Sequence, residues 1–574
     1  MKKIMTLVLL CLISFSTVVY AQEKQHAQPL KEGEKRNLYQ LDPRPFDPAT
    51  EPNSDMFMRH NGESEMRITN GNLKEWQILL PLKGDDPAYP EERGHCTTRT
   101  TGVNYAVLAP GLKTEPERLL NVQKLIYIAY GSGEVVSGSQ REQFEQNAMV
   151  LVSLNSTYTI ENTGGRDLVM YVFLDPVPDG FKPRPDIFVM HCNERTFMAT
   201  GGGHWTHATR GATITREHGL ATITHMAPVW YLPMTIGQPH SHNPGIEEIW
   251  FVVEGDFHLL LGKQFYNLIP GTAYKVPPTG NLSHSNMNLG TKPLRTVWMM
   301  YSTPTVKGQY RYGTLEGNPP SPDESNPDMY ISSYKEHYFK TVHSFLERDM
   351  LAKNNTKGAR PIERGNVLNY IDRFTHATIV GHQKTQPITL KDTQEVYYII
   401  SGNGTITGVG RTYDLYPGAC ALVPAGLEFV IENPNDDMIT MYLVSEKVTA
   451  GFTPNKSIIV KDENTVPVNH RSHWTYESRL LFQRQEGLSQ LQNVAMVVVP
   501  PNSFAQPHSH NELTEEVWST IDSELMFMLG KNARAMPEGY CYMVPPDGKS
   551  FHANINTTGK PIRTFYLGLY DGKE

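Results

Sequence analysis

One stretch of this chain occurs twice. Gln238-Pro239-His240-Ser241-His242-Asn243 returns as Gln506-Pro507-His508-Ser509-His510-Asn511. Residues downstream of it return in step: Glu248 with Glu516, His284 with His552, Asn288 with Asn556 and Arg295 with Arg563, each pair 268 positions apart. Residues i and i+2 of a strand share a face, so His240 and His242 aim two imidazoles into one interior. Glu248 on the next strand and His284 on a later one complete a set of three His and one Glu. His508, His510, Glu516 and His552 repeat it. Three neutral imidazoles and a carboxylate suit a borderline divalent ion such as Zn, Mn, Fe, Co, Ni or Cu, so up to two ions per chain are expected. A lone His-x-His is usually a surface pair. Two copies with the same Glu and His at the same offsets are hard to read that way.

A second repeat interleaves with the first. Gly131-Ser132-Gly133 matches Gly402-Asn403-Gly404, and Ile160-Glu161-Asn162 matches Ile431-Glu432-Asn433, both 271 positions apart. The order is therefore A-B-A′-B′, with the histidine motif only in B and B′. Short β-branched and aromatic runs, such as Leu125–Tyr130, Ile249–Val253, Val396–Ile400 and Val517–Ile521, are punctuated by Gly, Pro and Asn. They predict an all-β chain of barrels or sandwiches. The reading by residue is: 1–21 an export signal; 22–185 block A with an N-terminal extension; 186–310 block B; 311–355 a linker and helix; 356–450 block A′; 451–574 block B′. The linker is the Pro-rich stretch Asn318–Asp323. The helix is expected near 332–353, where Tyr334, Tyr338, Val342, Phe345 and Leu346 recur at helical spacing. In A and A′, Tyr158 and Phe429 fall about where the late His would be, and Glu395 survives alone in A′. These blocks are expected to be metal-free scaffolds packed against B and B′.

The motifs resemble those of the cupin superfamily: His-x-His, then Glu, then Gly seven residues on (Glu248 to Gly255), followed by Gly, Pro, His and Asn (Gly271, Pro277, His284, Asn288; Gly539, Pro545, His552, Asn556). The resemblance covers nearly the whole chain after residue 21 and implies four jelly-roll barrels in two bicupin halves. There are departures. The leading Gly is missing before both His-x-His pairs, the loop to Glu is slightly long, and Ser523 replaces the turn Gly in B′. The long loop leaves Glu247 and Glu515 open as alternative ligands. The superfamily's chemistry is varied and implies oxygenation, decarboxylation, isomerisation, β-elimination or plain ligand binding.

Composition narrows the setting. A net charge of −8 gives no reason to expect nucleic acid or an anionic membrane as partner. The basic head Met1-Lys2-Lys3, the apolar run Met5–Val19 and the small residue Ala21 read as an export signal, which implies a periplasmic or secreted protein with no membrane attachment once it is removed. The remaining cysteines, Cys96, Cys192, Cys420 and Cys541, are dispersed. They read as buried apolar residues, with one disulfide open.

The leading functional expectation is an exported, metal-dependent carbon–oxygen lyase or isomerase acting on uronic-acid sugars or oligosaccharides in polysaccharide breakdown. A dioxygenase or decarboxylase of the bicupin type is the alternative, and a non-enzymatic carbohydrate-binding protein is the third. Candidate catalytic residues are Tyr274, His207 and Arg295 in B, and Tyr542, Tyr476 and Arg563 in B′. The tyrosines and His207 serve as proton carriers, and the guanidinium forks as carboxylate anchors. The matching stretches His204–His207 and His473–Tyr476 suit either a sugar-binding rim or a contact between barrels.

Overall fold

The structure is a computed structural model that describes residues 38, 39, 41, 53–192, 209–210, 212–280, 282–302, 326–356 and 360–570. The expected signal, the Pro-rich linker, and His204 and His207 lie outside the described residues. Among those described, no helix is long and apolar enough to cross a membrane.

The architecture is all-β. In block A, an eight-stranded sheet centred on Val122–Tyr130 and Leu168–Pro176 lies against a four-stranded one containing Gly133–Ser137 and Thr157–Glu161. Alternation divides its side chains. Ile126, Ile128, Met170 and Val172 point between the sheets toward Val135 and Ile160. Leu125, Tyr127, Tyr171 and Phe173 point the other way, into a core shared with Phe251 and Val252 of block B. Block A′ repeats the arrangement: Tyr397 and Ile399 face inward, while Tyr398, Tyr442 and Val444 join the core of block B′. The pairs A–B and A′–B′ are thus welded by the outer faces of their large sheets.

Buried carboxylates cross each weld in both directions. Asp175 of A accepts from the N–H groups of Ala221 and Thr222, and Glu247 of B accepts from the N–H and hydroxyl of Thr98 and pairs with Lys275 at 3.0 Å. In the second half, Glu446 of A′ accepts from the N–H groups of Ser489, Gln490 and Leu491, and Glu515 of B′ from those of Asn369, Tyr370 and Ile371. Burial raises the pKa of Asp175, Glu446 and Glu515 above the usual carboxylate range, despite these donors.

B and B′ meet differently. The sheet carrying Phe257–Leu261 and His284–Asn288 continues through Thr235, paired with Asn532, into Leu525–Leu529 and His552–Asn556. One eight-stranded sheet therefore runs through both histidine-bearing blocks, and Phe265 meets Phe504 across the junction. The blocks run A–B–B′–A′ in space although the chain runs A-B-A′-B′.

The expected helix near 332–353 is absent. That stretch forms strands Ile331–Ser333, Lys340–Val342 and Phe345–Lys353, with one 3-10 turn at Tyr334–Glu336. The helical spacing was fortuitous. Phe345 and Glu347 are buried on either side of exposed Leu346, the period of a strand, and Tyr338 is 94% exposed, so no apolar helical face exists. Ile331–Ser333 adds to the sheet of B′ beside Tyr540–Tyr542, as Met58–His60 adds to that of B beside Thr272–Tyr274. No disulfide joins the four described cysteines, all of them buried.

Candidate metal centres

His240 lies in extended chain bridged to His284 by a reciprocal pair of backbone hydrogen bonds, and His508 is bridged to His552 in the same way. These bridges set the first and last imidazoles side by side. The ring centroids of His240, His242 and His284 lie 4.3–5.1 Å apart, and those of His508, His510 and His552 lie 4.3–5.0 Å apart. Ligand atoms of the three His in B, and of the three His and Glu516 in B′, fall within 4.8 Å of one another. Glu248 reaches Nε2 of both His242 and His284 at 3.2 Å, and Glu516 reaches Nε2 of His510 and His552 at 3.1 Å. The long loop leaves no ambiguity in the fold. Glu248 and Glu516 face the imidazoles, while Glu247 and Glu515, one residue earlier, face the neighbouring block.

The donor set fits a divalent ion. Nδ1 of His508 faces the carbonyl of Gln506 at 2.8 Å, and Nδ1 of His240 faces that of Gln238 at 2.7 Å. A proton held there leaves the Nε2 lone pair directed at the cluster. Nε2 of His508 is buried without a hydrogen-bond partner among the described residues, which suits a coordinating atom. Burial alone would raise the pKa of the Glu248 and Glu516 carboxyls, but the adjoining imidazoles hold both well below the usual range. The ligand carboxylates are themselves pinned: Glu248 by the indole N–H groups of Trp250 (2.9 Å) and Trp298 (2.8 Å), Glu516 by Trp518 (3.3 Å) and the Tyr566 hydroxyl (2.6 Å). Sequence reading missed these four residues. Trp250 and Trp518 lie two residues after Glu248 and Glu516 on the same strands, so strand parity would have found them, whereas Trp298 and Tyr566, at corresponding places on another strand, carry no such signal.

The expected catalytic residues divide. The Tyr274 hydroxyl donates to Oδ1 of Asn286, whose amide in turn donates to the Tyr231 hydroxyl at 3.0 Å. Asn286 lies two residues after His284, on the same face. In B′ the Tyr542 hydroxyl donates to Asn554 at 2.9 Å, and the Tyr476 hydroxyl accepts from the Asn554 N–H at 3.2 Å. Tyr274, Tyr542 and Tyr476 are therefore inside the barrels beside the ligand strands. Burial pushes their hydroxyls above the ordinary phenol range, keeping them protonated.

Arg295 and Arg563 are not in the centres. Arg295 bonds Asn147 of block A and lies 4.9 Å over the Tyr130 ring, and Arg563 binds Glu463 (2.7 Å) and the Tyr398 hydroxyl (2.6 Å) at the A′–B′ weld. The reason is parity: Trp298 and Tyr566 face inward, so residues three earlier face outward. His473, left open between a sugar rim and a contact between barrels, stacks on ligand His508 with centroids 4.1 Å apart and planes 8° apart. His207 lies outside the described residues.

In A and A′ the chain supplies its own cation. Lys124 pairs with Val152 as Glu248 pairs with Val276 and Glu395 with Val423. The Lys124 ammonium binds Glu117 at 2.7 Å, and the Tyr158 hydroxyl donates to the same carboxylate. In A′ the Arg373 guanidinium and the Tyr397 hydroxyl bind Glu395, with His343 at 3.2 Å. Phe429 faces Gly408 as His284 faces Leu261, so an apolar ring takes the place of the late His.

No protein-family model matches this sequence, and no curated protein matches it. Solved structures similar to it include Ylba from E. coli (12% identity over 45% of this chain and 97% of that one, TM-score 0.34). They also include a Lactobacillus farciminis oxalate decarboxylase formate complex (11%, 43% and 88%, 0.34) and a cupin 2 conserved barrel domain protein from Leptotrichia buccalis (13%, 34% and 83%, 0.25). The paired β-sheets, and a carboxylate meeting three imidazoles in each of two blocks, agree with the all-β fold and the ligand pattern that the resemblance implied.

Proposed function

We propose that the chain is an exported metal-dependent enzyme that acts on small acidic sugars or oligosaccharides at two His3Glu centres, as a carbon–oxygen lyase or a related isomerase. The observation that carries the metal dependence is the convergence, twice, of four ligand side chains whose carboxylates are already oriented by indole or phenol donors. A divalent ion held there supplies Lewis-acid polarisation of a carboxylate or carbonyl oxygen. The chain's own residues do the rest. Tyr274, Tyr231 and Asn286 line the interior of B with hydroxyl and amide groups, and Tyr542, Tyr476 and Asn554 do so in B′, which suits a hydroxylated substrate. The buried phenols stay protonated, so they serve as donors to a leaving or developing oxygen rather than as bases. The guanidinium anchors expected for the carboxylate are engaged elsewhere, so its recognition falls to the ligand shell and these donors.

The test is incubation of the full chain, loaded with each candidate metal in turn, with uronate-containing oligosaccharides. Absorbance from a conjugated double bond should grow, and replacing both His240 and His508 by Ala should abolish it. A flat trace across a broad panel, with bound metal verified, rejects the lyase.

One observation favours a second reading, a dioxygenase or decarboxylase of the bicupin type. Oxidisable rings, Trp250, Trp298, Trp518 and Tyr566, hydrogen-bond directly to a ligand carboxylate. Oxygen uptake with small acids and an obligate redox metal would mark it, and full activity with zinc under anaerobic conditions excludes it.

A further inference from the structure

Outside the metal centres, a cleft of about 430 Å³ opens where A′ meets B′. Arg348 and His376 are paired across adjacent strands at its floor. The Arg348 guanidinium is held between two rings, 4.5 Å from the centroid of Tyr334 and 4.4 Å from that of Phe339. The His376 ring stacks on one of these two, Tyr334, at 4.0 Å and 15°. Arg348 Nε is buried without a hydrogen-bond partner among the described residues. Burial, and then the charge of Arg348, depress the pKa of His376 to about 4, so the imidazole is neutral at pH 7. Lys335 lies 5.8 Å over Tyr334, and Glu538 is the acidic side chain lining the cleft. The walls add the hydroxyls of Thr378, Thr440 and Ser401, and the rim adds Phe339 (57% exposed) and Met438 (54%).

The first half provides an internal control. Trp76 pairs with Tyr105 where Arg348 pairs with His376. Those two rings pack edge to face at 5.5 Å, and Val107 stands where Thr378 does. One half fills this place with apolar rings. The other keeps a cation, an imidazole and hydroxyls around a cavity of ligand size.

We propose that this cleft is a binding site for an acidic saccharide unit, separate from the metal centres. The carboxylate meets the Arg348 fork. The apolar face of the sugar ring lies on the exposed aromatic rim, and its hydroxyls meet Thr378, Thr440 and His376. The ligand class is that of the proposed function, but the site rests on different residues and stands without it.

The experiment is calorimetric titration of the full chain with digalacturonate, maltose and benzoate. It is run on the native protein and on the His240→Ala/His508→Ala variant, which takes the metal centres out of the measurement. Digalacturonate should bind both proteins. Adding Arg348→Gln to the double variant should weaken that binding at least tenfold, and maltose should bind at least tenfold more weakly than digalacturonate. Arg348→Trp with His376→Tyr copies the packing of the first half, so it tests the same point in a variant built to fold, and it should also lose the site. Unchanged affinity in the Arg348 variants, equal binding of maltose, binding of benzoate alone, or no digalacturonate heat overturns the assignment. Lyase activity that fails while this binding persists rejects the proposed function and leaves the cleft standing.

Discussion

At the residue scale, one step along a strand separates two roles. Glu248 faces three imidazoles; Glu247 faces the neighbouring block. His240→Ala and His508→Ala should each remove one of two bound ions, and the double variant both, as read by elemental analysis of purified protein. Trp298→Phe removes a donor that orients Glu248, and should weaken metal affinity in B by about 10–100-fold in competition with a chelator. Glu515→Ala should leave metal content unchanged. It strands the N–H groups of Asn369, Tyr370 and Ile371 in a buried weld. Urea unfolding should show a loss of about 3 kcal/mol, a figure that counts only part of the desolvation of three donors. The ligands were legible because their chemistry is scarce and was written twice. Arg295 was misplaced because residue type suggested a carboxylate anchor while parity, countable only once Trp298 is known to face inward, sends it outward.

At the scale of elements, blocks A and A′ each set a basic side chain of the chain itself against a carboxylate, Lys124 on Glu117 and Arg373 on Glu395. In A′, burial tends to raise the pKa of Glu395, but the His343 hydrogen bond and the Arg373 charge outweigh it and hold the carboxyl below its ordinary 4.5. A carboxyl depressed on folding adds stability above its unfolded value and loses it as pH falls through the folded one. The stability gap between native protein and Glu395→Gln should therefore be full at pH 6 and close as pH drops below about 4.5, measured by urea unfolding at several pH values. The strands Met58–His60 and Ile331–Ser333 were not legible. Three residues carry too little periodicity to announce an edge strand, and their partners lie about 200 positions away. The false helix arose the same way: tertiary pairing overrode a spacing that local pattern could not distinguish.

At the scale of the whole molecule, the all-β class was readable from the short β-branched and aromatic runs punctuated by Gly, Pro and Asn. The neighbour relation of B and B′ was not. Their shared sheet rests on Thr235 meeting Asn532, a pairing with no signature in either segment. Cleavage engineered between residues 303 and 325 should leave two fragments that still elute together near the mass of the intact 64.8 kDa chain, because separation would open two sheet edges to water. Two separately eluting fragments would show the junction to be too weak to hold the halves together. The same sheet has a consequence for how the copies can differ. A homodimer of half-length chains must wear every substitution twice, once on each side of its axis. Covalent fusion lifts that obligation, so a tryptophan can stay at position 76 while its twin at 348 becomes an arginine, and one lobe is free to specialise while the other keeps the frame.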